Sequence, residues 1–151
     1  MKLYDTVALS RADIADLAKR VAGPVLLPED AGYQPECATF NLMTPVRPAV
    51  AVAATNAADV QAAVRFAAER DLPVAVLATG HQVARSGEGA VLINVTRMNA
   101  LHVDPARCLA GAEGGTRWQQ VLDEAHKYGL APVSGTSPTV GVVGYHLGGG
   151  A

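Results

Sequence analysis

The residues best equipped for chemistry are Gly80 and His81, in the run Ala78-Thr79-Gly80-His81-Gln82-Val83 that directly follows the apolar segment 73–77. A turn at the end of a strand presents several backbone N–H groups together, a cradle suited to phosphate oxygens. Gly80 lets the main chain approach a ligand with no Cβ in the way. His81 adds an imidazole nucleophile beside that cradle, and the pair suggests a nucleotide cofactor held covalently; a turn histidine bonded only to its neighbours is the other reading. A second segment, residues 134–144, sets Gly135, Gly141 and Gly144 among Ser134, Thr136, Ser137 and Thr139. Amides and hydroxyls in that mixture suit a flat or phosphorylated ligand, although the same composition serves a purely structural loop. Neither GxxxxGK[ST] nor a G-x-G-x-x-G after a first strand occurs.

Stepping outward, residues 10–21 are expected to form a helix. Ser10 and Asp13 have capping-box spacing, Ile14, Leu17, Ala18 and Val21 share one face, and Gly23-Pro24 ends it. Residues 24–47 read as an irregular surface excursion. Residues 48–53 read as a strand, followed by a helix capped by Asn56, with Val60, Ala63, Val64 and Ala67 inward, and by a buried strand at 73–77. Strand, helix and strand with short links predict a βαβ unit and parallel pairing. Segments 90–95, 100–104 and 108–112 read as an antiparallel meander. A third helix is expected from Thr116 to about Tyr128, capped by Thr116 and Gln119, with Trp118, Val121, Leu122 and Ala125 buried. The boundary between two lobes is expected near 86–90, which divides the chain into 1–46, 47–88 and 89–151. The glycine run 148–150 normally leads into another element, so the expectation is the front part of a longer chain.

The bulk composition excludes several classes. A formal net charge of −2 with scattered basic residues offers no attraction to nucleic acid or to an acidic membrane surface. No apolar run approaches the roughly 20 residues of a bilayer span, and Asp5, Arg11, Asp13 and Asp16 interrupt any signal-peptide core. A cytoplasmic location is the corresponding expectation. Cys37 and Cys108 read as buried, reduced thiols. His81, His102, His126 and His146 lie 20 or more residues apart, which suggests no metal cluster. Arg85, Arg97 and Arg117 read as solvated charges, His102 as a surface-strand residue, and His126 as a cation at a helix end.

Four blocks in this order, ATGHQ at 78–82, VLINVTRMN at 91–99, AGAEGGTRWQQVL at 110–122 and HKYGLAPVSGTSPTVGVVGYHLGGG at 126–150, closely resemble the FAD-binding domain of the vanillyl-alcohol-oxidase and berberine-bridge-enzyme type of flavoprotein oxidases. The segment VAATNAADVQAAVRFAAERDLPVAV upstream is similar to that family's first βαβ unit, so the likeness covers about residues 40–151. The resemblance implies an α+β, PCMH-type FAD-binding domain of two α/β lobes: a small βαβ lobe, then a mixed or antiparallel β lobe with helices, truncated at the C-terminus. It implies FAD contacts from Ala78, Thr79, Gly80, His81, Gln82 and Val83, and from Gly135, Thr136, Ser137, Thr139, Val140, Gly141, Gly144 and Tyr145.

The family's histidine at the position of His81 is frequently bonded to the 8α carbon of the flavin. Two departures from the family pattern bear on this. Thr79 replaces a glycine of the common RSGGH motif, and it still supplies an N–H and adds a hydroxyl. Ser137 stands where bicovalent members carry cysteine, and an unactivated hydroxyl is a poor nucleophile, so a single link through His81 is expected. The expected function is the FAD-binding part of an oxidoreductase that moves hydride from a small organic substrate to the flavin, with dioxygen as a candidate acceptor and no catalytic acid or base within this stretch. The alternative is a truncated, non-catalytic fragment acting as a nucleotide-binding or interaction module, prone to self-association through an uncovered apolar surface.

Overall fold

A computed structural model of the chain describes residues 9–81, 83 and 86–150. These fall into two compact units that divide after Val95.

The first unit is a four-stranded sheet with helices. Ser10 caps α1 (Arg11–Arg20) through the expected box: its hydroxyl accepts from the Asp13 N–H at 3.2 Å, and Asp13 Oδ2 accepts from the Ser10 N–H at 3.0 Å. β1 (Val25–Leu26) pairs antiparallel with β2 (Val50–Ala53). α3 (Ala57–Glu69) starts at Asn56, whose side chain accepts from the Asp59 N–H at 3.0 Å. β3 (Val74–Leu77) and β2 both run parallel to β4 (Val91–Asn94), in the order β1-β2-β4-β3. The βαβ unit is therefore present, but its two strands are not neighbours; β4 lies between them.

That placement corrects the expectation of an antiparallel meander beginning at residue 90. A continuous apolar run carries no mark of its partner, and the parallel pairing of 91–94 with strands 14 or more residues away is settled by tertiary packing. β2 is wholly buried and β4 nearly so, as central parallel strands should be. β3, expected to be buried, is an edge strand with Val76 67 % exposed and Val74 42 % exposed.

The irregular segment also holds more than surface. It contains a short helix, α2 (Tyr33–Glu36), and Tyr33, Cys37 and Val46 join Ala51, Leu77 and Leu92 in one core cluster. Tyr33 Oη donates to the Pro48 carbonyl, and Asn94 Nδ2 donates to the Glu36 carbonyl at 2.9 Å. Burial pushes the Tyr33 phenol well above its ordinary pKa range and raises the Cys37 thiol, so both stay neutral.

The second unit pairs β5 (Leu101–Asp104) and β6 (Leu109–Ala112) as an antiparallel hairpin. α4 (Trp118–His126) buries Trp118, Val121 and Ala125 of its expected stripe and leaves Leu122 half-buried. Its cap lies one residue later than expected: the Arg117 N–H donates to Gln120 Oε1 at 2.9 Å. α5 (Val142–Leu147) follows the glycine-bearing loop. Cys108, expected to be buried, is exposed at the hairpin turn with φ +51°. Among the described residues no helix is long and apolar enough to cross a membrane.

Candidate functional site

In the first unit the turn after β3 is held from both sides by packing. Leu77 is buried in the Tyr33, Cys37, Val46, Ala51 and Leu92 cluster, and Val83 packs against that cluster from the far side of the turn. Between them, Ala78 and Thr79 are half-buried, Gly80 is buried and His81 is exposed. Gln82, expected among the contacts, and Arg85 lie outside the described residues.

Gly80 has φ +65°, a conformation that L side chains rarely adopt. A Cβ there would lie 2.9 Å from Thr39 Cα and 3.0 Å from the Ala38 carbonyl oxygen. The Phe40 N–H donates to the Gly80 carbonyl at 3.0 Å. The side of Gly80 that lacks a Cβ is thus taken by the chain's own segment 38–40. Glycine is required here as expected, with self-packing as its visible cause. The imidazole of His81 lies with its centroid 5.9 Å from the Phe40 ring, the planes 39° apart. Phe40 was missed in the sequence because it sits in a stretch rich in prolines and glycines with no periodicity to single it out.

In the second unit the loop before α5 lies across the N-terminus of α4. The Trp118 N–H donates to the Val140 carbonyl at 3.0 Å, and the Gln119 N–H to the Pro138 carbonyl at 2.9 Å. These bonds satisfy donors that the start of any helix leaves without an internal partner. Arg117 Nη1 donates to the Thr139 carbonyl at 2.7 Å, and Gly141 bridges Arg117 as a short antiparallel pair. Arg117 is therefore an anchor for this loop and not the solvated charge expected.

With the carbonyls of 138–140 engaged on α4, the polar groups left for a ligand include the Ser137 and Thr139 hydroxyls, 3.0 Å apart, and the exposed Thr136. Val140 and Tyr145 pack on Trp118, Val121 and Val142. The Tyr145 ring meets Trp118 edge-on at 5.8 Å and fills the space at Gly135, where a Cβ would come within 2.8 Å of Tyr145 Cε2. Gly144 differs: a Cβ there would meet nothing within 4 Å, so this turn of α5 is open to an approaching group. His146 Nδ1 lies 3.0 Å from the Val142 carbonyl, and its ring is 5.3 Å from Trp118.

Residues 72–87 and 125–151 contain no Asp or Glu, so no fixed negative charge within them opposes a pyrophosphate. The second unit also has a cavity of about 270 Å³, lined by Val103, Leu109, Val121, Leu130 and Val142 among others. It is apolar, and none of the expected contact residues lines it.

Residues 48–151 match the family described as FAD binding domain. The chain is 31 % identical over 132 residues to (R)-6-hydroxynicotine oxidase of Paenarthrobacter nicotinovorans, an alignment covering 86 % of this chain and 29 % of that enzyme. It is 29 % identical over 133 residues to a carbohydrate oxidase of Microdochium nivale, covering 84 % and 27 % respectively. Among solved structures, 6-hydroxy-D-nicotine oxidase from Arthrobacter nicotinovorans superposes with a TM-score of 0.76 at 31 % identity, over 82 % of this chain and 28 % of that one. The Microdochium nivale carbohydrate oxidase superposes with a TM-score of 0.77 at 29 % identity, over 89 % and 29 %. The chain thus spans less than a third of the length of these relatives.

Proposed function

The chain belongs to the FAD binding domain family, and from that membership we propose that it is the FAD-holding part of a flavin-dependent oxidoreductase. The observation that carries the reading is His81: an exposed imidazole on a turn fixed by a glycine at φ +65°, within a stretch free of carboxylates. Ala78, Thr79, Gly80, Gln82 and Val83 in the first unit are read as FAD contacts. In the second unit Gly135, Thr136, Ser137, Thr139, Val140, Gly141, Gly144 and Tyr145 are read in the same way. The Ser137 and Thr139 hydroxyls offer donors to phosphate or sugar oxygens, and the open face of Gly144 admits close approach.

FAD, when bound, accepts a hydride from an organic substrate and passes two electrons on to an acceptor, for which dioxygen is the simplest candidate. The relatives named above differ in substrate, a hydroxynicotine and a carbohydrate, so the proposal for this protein is a small organic molecule. The protein's share is to hold and orient the cofactor. His81 is proposed to tether it: a bond forms between an imidazole nitrogen and the flavin 8α carbon, one C–H and one N–H bond break, and the two protons and two electrons released leave to dioxygen or another acceptor. Ser137 in place of a thiol restricts the linkage to that one bond.

The test is acid precipitation of the full-length protein. Flavin that stays with the wild-type polypeptide and is wholly released from His81→Ala supports the tether. A colourless full-length protein that takes up no added FAD would refute the reading outright.

A further inference from the structure

Among the described residues of the first unit, the three most exposed large apolar side chains are Phe40, Leu42 and Met43, at 80, 84 and 88 %. All three fall within four consecutive residues, and each forgoes roughly 1.5–3 kcal/mol of burial. A cluster of this kind marks a surface that meets an apolar partner.

This segment is also well held. The Phe40 N–H donates to the Gly80 carbonyl at 3.0 Å, Thr39 Oγ1 donates to the Asn41 carbonyl at 2.9 Å, and the Met43 N–H donates to Asn41 Oδ1 at 3.0 Å. Gly80 closes against Thr39 and Ala38 so tightly that a side chain there would not fit. The Phe40–Gly80 bond and that close packing fix the segment to the turn that carries His81, the two Asn41 bonds hold the segment's own shape, and the Phe40 ring rests 5.9 Å from the imidazole.

We infer that Phe40 is a positioning residue for His81. Its ring limits the planes the imidazole can adopt, and the apolar surface continued by Leu42 and Met43 seats the dimethylbenzene edge of the flavin, so that the 8α carbon meets a ring nitrogen. The inference rests on the reading that His81 carries the flavin. Phe40 forms no bond in the tethering step, whose balance is as given above, with dioxygen as oxidant. It acts by orientation, and loss of orientation slows a reaction between bound partners more than it weakens their binding.

The experiment follows formation of acid-stable flavin in full-length apoprotein mixed with FAD in aerated buffer, over a range of FAD concentrations. It compares wild type with Phe40→Ala, Phe40→Tyr and His81→Ala. Phe40→Ala is expected to lower the maximal tethering rate about tenfold or more while shifting the half-saturating FAD concentration much less, and Phe40→Tyr, which keeps the ring, is expected to restore most of that rate. A wild-type maximal rate in Phe40→Ala overturns the inference, as does an equal fall in rate and apparent affinity. Acid-stable flavin missing from the wild type, or retained by His81→Ala, is a different failure: the tether itself is then wrong, and the positioning role falls with it.

Discussion

Gly23 and Asp59 are joined so closely that neither tolerates change: the Gly23 N–H donates to Asp59 Oδ2 at 3.2 Å, and a Cβ on Gly23 would lie 3.3 Å from that oxygen and 2.0 Å from the Ala53 carbonyl oxygen. The same carboxylate accepts the Ala22 N–H at 2.7 Å, the Thr55 N–H at 2.8 Å and the Thr55 hydroxyl at 2.8 Å. Asp59, only 2 % exposed, thereby pins the start of α3 to the link between α1 and β1.

Asp59 accordingly contributes to the acid response of the first unit. Burial alone raises its pKa, but the amides of Ala22, Thr55 and Gly23 and the Thr55 hydroxyl outweigh burial and hold it below the ordinary carboxylate value. Asp13, bonded to Ser10 and Arg70, is lowered to about 2. A carboxylate with a depressed folded-state pKa stabilises above its unfolded pKa, and that stability drains away as pH falls through the folded value. Urea midpoints are expected to hold from neutrality to about pH 4 and then drop. Asp59→Ala is expected to cost roughly 3 kcal/mol at pH 7 and to flatten the acid limb, because buried amides lose their acceptor.

Gly80→Ala is expected to destabilise the first unit by about 1–3 kcal/mol, since it forces a Cβ into a positive-φ position against Thr39. Denaturant unfolding of the apoprotein measures this without reference to any cofactor. A cost near zero would show that segment 38–40 does not press on the turn.

Arg117→Ala is expected to loosen the loop of the second unit by removing the bond to the Thr139 carbonyl. Its effect on global stability should be only about 1 kcal/mol, the scale of one solvent-accessible hydrogen bond. Hydrogen exchange at Val140, whose N–H donates to the Ser137 carbonyl, is expected to accelerate far more than exchange in α4.

Gly135 and Gly144 should respond oppositely to alanine. At Gly135 the new methyl meets the Tyr145 ring at 2.8 Å and displaces it, so stability falls. At Gly144, inside α5 and facing open space, alanine is expected to add about 0.5–1 kcal/mol of helix stability. If the proposed close approach of FAD at Gly144 is correct, the same substitution weakens FAD binding. A titration that finds unchanged affinity removes Gly144 from the contact set.

The caps at Ser10 and Asn56, the α4 stripe and the hairpin 101–112 were legible because each is written in local spacing; the α3 stripe was legible only in part, since Val64 is 43 % exposed and Phe66, not singled out, is fully buried. The position of β4 was not, since pairing between segments distant in the chain leaves no local trace. Gly80 was legible as a position that wants no Cβ, and Gly135 only as one glycine of a mixed loop. What presses on them was not: Thr39 and Ala38 in one case, Tyr145 in the other. Phe40 was invisible because its significance lies in a contact across some forty residues, within a stretch that has no period. Arg117 was misread because a cation's hydrogen bond to a distant carbonyl has no signature in composition.

Trp118 is the single tryptophan in the chain, and it is 97 % buried, edge-on to Tyr145 and close to the His146 ring, with its indole N–H lacking a partner among the described residues. Its emission is consequently a built-in gauge of one half of the molecule. Light from this chromophore should shift to the red when α5 lifts away from α4. Far-ultraviolet dichroism recorded alongside would report both halves, and the gap between the two curves would measure how independently they come apart.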